Sequence, residues 1–404
     1  MPDFQNPFRP GAGHPPPYLA GREAERAEFR RLLEQTTILD NLVLTGLRGV
    51  GKTVLLDALK PVAIAENWLW TGTDLSESTS ISEESLAIRI CADLSLLTSD
   101  VVVHKEISRR IGFGSKGTEI EHTLNFQNLF GIYEQTPGLA MDKLKAVLEL
   151  TWQVLSNKDS EEKQPRGIIF AYDEAQNLSD RQKDNQYPLA LLLDTFQGIQ
   201  KRGMPLMLVL SGLPTLFSGL VESRTFSERM FRVAFVDRLT RSESRDAILK
   251  PIDDASCPVQ LTGESVETIC NISGGYPYFI QFICREIYDS FMQKMNGREG
   301  ASVPVEAIEQ KLDTDFFAGR WARATDRQRQ LLSVIAQLEN CDDEFTIQEI
   351  VDLSGQLLEK PFGGSQVNQM LVAMSGLVFK NRRGRYSFAV PLLGRFIRRQ
   401  LSQN

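Results

Sequence analysis

The chain is poor in the residues that build metal sites and disulfide scaffolds. It has three histidines in 404 residues, and its five cysteines (Cys91, Cys257, Cys270, Cys284 and Cys341) are odd in number and far apart. No CxxC pair occurs, so neither a zinc centre nor a disulfide framework is expected, and a reducing cytoplasm suits the chain. His14, His104 and His122 have no neighbours at metal-ligand spacing and read as plain loop or surface residues. No run of 18 apolar residues is present, so no membrane-spanning helix is expected. The opening Met-Pro-Asp-Phe-Gln-Asn-Pro lacks the basic and apolar blocks of a signal peptide. Positive charge is not in surplus either. A net charge of −7 argues against a protein that coats nucleic acid, while leaving room for a local basic patch.

The strongest positive signal is Asn41 to Thr53. A short apolar run ends in Gly46, four residues follow, then Gly51-Lys52-Thr53 and a helical Val54-Leu55-Leu56-Asp57-Ala58-Leu59. This is G-x-x-x-x-G-K-[ST] in the context it requires, a strand before and a helix after. The glycines permit a tight turn that aims backbone N–H groups at phosphates, and the helix N-terminus adds positive potential. Gly46, Gly49, Val50, Gly51, Lys52, Thr53 and Val54 are therefore the expected nucleotide cradle. Lys52 would reach the β- and γ-phosphates, and the Thr53 hydroxyl would ligate Mg²⁺.

A second signal lies at Gly167 to Gln176, an apolar strand ending in Asp173-Glu174. In open α/β sheets ligands gather at the carboxyl ends of strands, which would bring the two motifs to one edge. Asp173 would then hold Mg²⁺ and Glu174 would orient or deprotonate an attacking water. Leu206 to Leu213 reads as another buried strand, whose Ser211 is either a γ-phosphate sensor or the start of the turn before Pro214. Arg224, Arg229 and Arg232 precede the last core strand near 233–235. Arg229 is the candidate for a cation acting in trans at a neighbouring subunit's γ-phosphate, the alternative being a solvated helix end.

Around this core the chain divides by composition. Residues 1–18 form a Pro/Gly-rich extended arm with apolar anchors at Phe4, Phe8 and Tyr18. Residues 19–239 hold the nucleotide-binding core, with Leu19-Ala20-Gly21-Arg22-Glu23 opening a helix over 25–35, strand-like residues over 68–75, and an insertion at about 97–137. That insertion carries Lys105, Arg109, Arg110 and the Gly-rich Phe113 to Gly117. Residues 240–319 read as a small all-helical unit. Residues 320–404 read as three helices followed by a hairpin, the pattern of a winged helix-turn-helix. This unit has 12 Lys and Arg against 8 Asp and Glu, a surplus of four, leaving −11 for the rest. Lys380, Arg382, Arg383 and Arg385 on the hairpin, with Arg395, Arg398 and Arg399 after it, suit phosphate contacts. The third helix carries no Lys or Arg, so docking of a protein stays open beside DNA.

With these motifs placed, the chain resembles the AAA+ ATPases of the replication-initiator (origin-recognition) group and related STAND-type bacterial ATPases. The resemblance is specific at Gly46–Thr53 and Asp173–Glu174 and looser at Leu19–Glu23 and Gly274–Phe279. It implies an α/β P-loop core, an all-α lid over 240–319 and a C-terminal winged helix, with Gly21 and Arg22 near the adenine. It also implies an ATPase that uses ATP and Mg²⁺, forms homo-oligomers through its nucleotide site and couples ATP state to DNA binding or remodelling. The alternative is a slow ATP switch whose winged helix docks an effector protein. Two departures favour slow turnover. Ser211 stands where the initiator group has Asn. Tyr278 stands where its lid helix has Arg, with Arg285 two turns later.

Overall fold

The structure is a computed structural model. It describes residues 5–11, 13–76, 78, 82–99, 102–108, 118–157, 164–257, 260–294, 304–374, 376–382 and 384–403. Phe4, Arg109, Arg110, the stretch 113–117 and Arg383 lie outside the described residues, and Lys105 and Arg382 are described by backbone alone.

Helix α1 (Glu23–Leu33) begins two residues earlier than its apolar stripe suggests, with Glu23 and Glu25 in the first turn, and buries Phe29, Leu32 and Leu33. Strand β1 (Asn41–Thr45) leads through the glycine loop into α2 (Lys52–Ala65). The next strand, β2 (Trp68–Thr71), is shorter than expected, because the chain leaves the sheet at Gly72 and returns only as a single bridge from Asp74 to Asp173. Helix α3 (Glu83–Thr98) is capped by Ser82, whose hydroxyl accepts from the Ser85 N–H. The insertion forms an antiparallel hairpin, β3 (Val102–Ser108) and β4 (Thr118–Thr123), followed by α4 (Phe126–Gln135).

Helix α5 (Ala140–Ser156) precedes β5 (Gly167–Tyr172). Then follow α6 (Pro188–Gln200), β6 (Leu206–Gly212), α7 (Thr215–Ser223), the short α8 (Ser227–Met230) and β7 (Phe231–Phe235). The five core strands pair in parallel in the order β2-β5-β6-β1-β7. Every residue of β1, β5 and β6 is buried, as befits central parallel strands covered on both faces. This order places β6 between the P-loop strand and the Asp-Glu strand, so all three carboxyl ends open on one edge.

Helices α9 (Arg241–Asp254), α10 (Gly263–Ser273), α11 (Pro277–Lys294) and α12 (Val305–Leu312) form the helical unit. The last helical stretch is not continuous. A π-helical turn at Asp313–Ala318 and α13 (Gly319–Ala322) carry it forward. Beyond lie α14 (Asp326–Ala336), α15 (Ile347–Leu357), α16 (Gly364–Ala373), the hairpin β8 (Val378–Arg382) with β9 (Arg385–Phe388), and α17 (Leu393–Gln403). Phe317 packs on Phe396 of α17 with tilted rings and Trp321 meets it edge-on, at centroid distances of 5.4 and 6.2 Å, so the helical unit and the C-terminal unit share one apolar core. No described helix is long and apolar enough to cross a membrane.

Candidate nucleotide site

The P-loop keeps its shape through two glycines that no other residue could replace without cost. A Cβ on Gly46 would sit 2.0 Å from the Val236 carbonyl oxygen, and Gly51, at φ 91°, caps α2 in the left-handed region. Lys52 is buried, and its Nζ donates to the carbonyls of Gly46 (3.0 Å) and Leu47 (2.8 Å). Burial pulls its ammonium down to about 8, against the opposing pull of Glu174 and Asp173. A phosphate entering the loop would supply the anionic partner that two carbonyls only partly replace.

Thr53 and Asp173 meet directly, the Thr53 hydroxyl donating to Asp173 Oδ2. Around them Asp57 and Asp74 are both held above the usual carboxylate range, first by burial and then by the charge of Asp173. Among the described residues no group of three or more His, Cys, Asp or Glu is placed to bind a metal unaided. A hydroxyl and one carboxylate fit Mg²⁺, which keeps water and phosphate oxygens as its remaining ligands. Glu174 is exposed, sits at φ 50° just after the strand, and receives a hydrogen bond from Gln176 Nε2. The other end of that amide, Gln176 Oε1, accepts from the Leu213 N–H at 3.0 Å. Gln176 therefore ties Glu174 to the end of β6, a role its sequence position did not reveal.

These residues border a cavity of about 620 Å³. Arg48 to Val54 and Glu174 line one side, with Pro277, Tyr278 and Gln281 of α11 facing them. The place expected for a lid arginine is thus filled by Tyr278. Arg285 instead pairs with Asp289 on the same helix at 3.5 Å. His14, expected to be a plain loop residue, and Arg9 also line the cavity.

Gly21 and Arg22, expected near the adenine, take different places. Arg22 does line the cavity, but its guanidinium is committed to the chain, donating to the carbonyls of Val50 (2.8 Å) and Asp237 (2.7 Å). Burial lowers its pKa, with Glu25 foremost among the carboxylates opposing that. It braces the P-loop from behind. Gly21 is not in the lining. At φ 63° it lets the chain pass Glu243 of α9, whose Cδ would lie 2.5 Å from an added Cβ. Ser211 is fully buried beside β1 and is not in the lining either, and its hydroxyl has no hydrogen-bond partner among the described residues.

The three arginines expected before the last core strand separate cleanly, and Arg232 lies within β7 rather than before it. Arg224 is engaged by Asp194 at 2.7 Å and Arg232 by Asp40 at 3.3 Å. Arg229 is exposed and has no ion-pair partner among the described residues. It lies away from its own P-loop cavity, beside a separate groove with Leu39, Phe226 and Met230.

The basic C-terminal surface is smaller than its composition implies. Arg395 bonds Asp342 and the Asn271 carbonyl, Arg398 bonds the Ala336 carbonyl, and Arg399 bonds Asp313 and Glu309. The arginines of α17 hold the helix in place, and the expectation that they contact phosphate is withdrawn. Lys380 remains exposed on the hairpin and Arg385 is half-buried.

A parallel sheet of this order, with a P-loop after β1 and an Asp-Glu pair after β5, defines a P-loop nucleoside triphosphatase of the AAA+ type. The family described as "AAA ATPase domain" matches residues 18–221, and the chain belongs to it. A second family, "Domain of unknown function (DUF8462)", matches residues 314–397. Among solved structures the chain is similar to the Walker-type ATPase PABY2304 of Pyrococcus abyssi, at 16% identity, covering 94% of this chain and 96% of that one with a TM-score of 0.55. It is also similar to the ORC2 protein of Aeropyrum pernix in its ADPNP-ADP complexes, at 15% identity, covering 96% and 97% with a TM-score of 0.52. At these identities the likeness is one of fold. No curated protein matches the chain.

Proposed function

We propose that the chain is an ATP-hydrolysing AAA+ switch that assembles through its nucleotide site and reports the bound nucleotide to its C-terminal unit. The contact that supports this most directly is at the tip of the P-loop. A Cβ on Gly49 would lie 3.5 Å from Pro391 of the C-terminal unit and 4.0 Å from Tyr276 at the start of the lid helix. Close by, Arg238 pairs with Asp343 at 2.7 Å. A phosphate entering the loop therefore acts on both units at once, which gives ATP and ADP a way to bias two arrangements.

In this reading the loop from Gly46 to Val54 cradles the phosphates and Lys52 pairs with them. Thr53 and Asp173 would hold Mg²⁺, which would supply positive charge to offset that of the phosphates. Glu174 orients and deprotonates the water. Arg229 reaches the γ-phosphate of a neighbouring copy, being the arginine of its group with no ion-pair partner among the described residues. Arg229→Ala is expected to lower ATP turnover on the order of a thousandfold while leaving ATP affinity unchanged. Mixing Arg229→Ala with Glu174→Gln protomers should restore part of the activity, because one mixed interface joins an intact site to an intact arginine. No recovery on mixing would remove the assignment in trans.

The C-terminal unit reads as a winged helix, with α16 offered to a major groove and Lys380, Arg382, Arg383 and Arg385 to phosphates. Neutralising these four together is expected to weaken DNA binding at every sequence. The slope of log affinity against log salt should become shallower by about 0.9 for each phosphate that loses its cation. A second reading, in which this unit docks a protein, is supported by the surface of α16. It exposes Gln366, Asn368, Gln369 and Val372, the last 70% exposed, with no cation among them. DNA affinity that ignores the four-fold neutralisation would favour the second reading.

A further inference from the structure

Among the described residues, the N-terminal arm is tied to the helical unit at both ends. Asn6 Nδ2 donates to Asp289 Oδ1 (2.7 Å) and to the Arg285 carbonyl (3.0 Å), both on α11. Phe8 is 1% exposed, its ring 5.8 Å from that of Tyr288, and the Arg9 N–H donates to Gln281 Oε1 at 3.3 Å. At the other end the Tyr18 hydroxyl accepts from Lys250 Nζ of α9 at 2.7 Å, and the same ammonium lies 4.3 Å from the Tyr18 ring centre.

Between these anchors the chain crosses the mouth of the P-loop cavity. A turn closed by the His14 N–H on the Gly11 carbonyl (3.3 Å) brings Gly13 over the candidate metal ligand, so that a Cβ there would lie 3.7 Å from Thr53 Cγ2. Arg9, Gly11, Gly13, His14 and Pro16 all line the cavity. The spanning segment is rich in proline (Pro10, Pro15, Pro16 and Pro17), so it loses little conformational freedom when it docks. Its anchors are few and partly polar, so it can also detach.

We propose that residues 6–11 and 13–18 form a retaining strap for a bound nucleoside di- or triphosphate, one that moves with the lid rather than with the sheet. The strap rests on the nucleotide-binding reading of the cavity. A ligand seated between the P-loop and the arm leaves only when the arm lifts or the lid swings, so the arm sets the release rate. Arg9 and His14 place a cation and a hydrogen-bonding ring on the wall opposite the P-loop.

The test uses the full chain loaded with a fluorescent ADP and chased with excess unlabelled ADP in a stopped-flow instrument. Two variants lie outside the cavity. Asn6→Asp sets a carboxylate against Asp289, and Phe8→Ala empties the buried anchor. Both are expected to speed release about tenfold. The nucleotide-free melting temperature of Asn6→Asp should match the parent, which separates loss of the strap from loss of the lid. Release from both variants within about twofold of the parent would overturn the strap while leaving nucleotide binding intact. A parent chain that binds no fluorescent ADP would overturn the nucleotide-binding reading, and the strap with it.

Discussion

Lys52→Ala is expected to cost about 3 kcal/mol of nucleotide affinity, roughly a hundredfold or more, because it removes the buried ammonium that faces the phosphates. The side chain already makes two hydrogen bonds to loop carbonyls, at 3.0 and 2.8 Å. A neutral alanine leaves those carbonyls pointing at an anion. Calorimetry with ADP, in the absence of divalent metal, isolates this term from the metal's own contribution. An affinity within threefold of the parent would show that the phosphates are held elsewhere.

The same residue gives the site a pH signature. Burial lowers the Lys52 ammonium from its ordinary 10.5 to about 8. Between those values the unfolded chain keeps a proton that the folded chain has lost, so this group's contribution to stability rises with pH across that window. Below about 8 the full cost of a buried, charged lysine is present, and a bound phosphate is what offsets it. ADP affinity should therefore be flat below pH 8 and fall above it, with uptake of a proton on binding near pH 9. Lys52→Arg should flatten that fall, because a guanidinium stays charged throughout. Calorimetry at pH 9 in two buffers of different ionisation enthalpy reads the proton directly.

Lys52 was legible in the sequence because its neighbours answer to local rules. Gly51 must sit at positive φ, Gly46 must admit a neighbouring carbonyl, and the strand before and helix after follow from apolar spacing alone. Asp173 and Glu174 were legible for the same reason, as the polar end of a fully apolar run. The arm was not. Its composition predicts an extended chain, but its destination depends on contacts such as Asn6 with Asp289, 283 residues apart. The arginines of α17 fail in a related way. A basic helix looks the same in sequence whether its charges meet solvent, phosphate or internal carboxylates. Here Arg395 and Arg399, four residues apart and so on one face, point at Asp342, Asp313 and Glu309. Arg22 was found by pattern, but only the fold reveals that the Val50 carbonyl takes its guanidinium.

Glu174→Gln is expected to keep ATP affinity and to lower turnover by about 10²- to 10⁴-fold, the usual span for removing a general base. The amide preserves shape and can still accept one hydrogen bond, but it cannot take the proton of an attacking water. The local geometry makes the residue available for that task. Glu174 follows the strand in a left-handed conformation that turns its exposed carboxylate towards the cavity, and its own N–H is held by Asp173 Oδ1 at 2.8 Å. Gln176 bonds one carboxylate oxygen and leaves the other open. Because Gln176 also holds the Leu213 N–H, it links Glu174 to the end of β6, next to Ser211. Gln176→Ala should therefore slow turnover less than Glu174→Gln does, with the loss falling on kcat rather than on ATP binding. Single-turnover hydrolysis by pre-bound ATP measures the chemical step apart from release. If Glu174→Gln hydrolyses at the parent rate there, the water is activated by another group, and Asp74, whose backbone bridges that of Asp173 and whose carboxyl is held up by burial and by the charge of Asp173, becomes the residue to replace next.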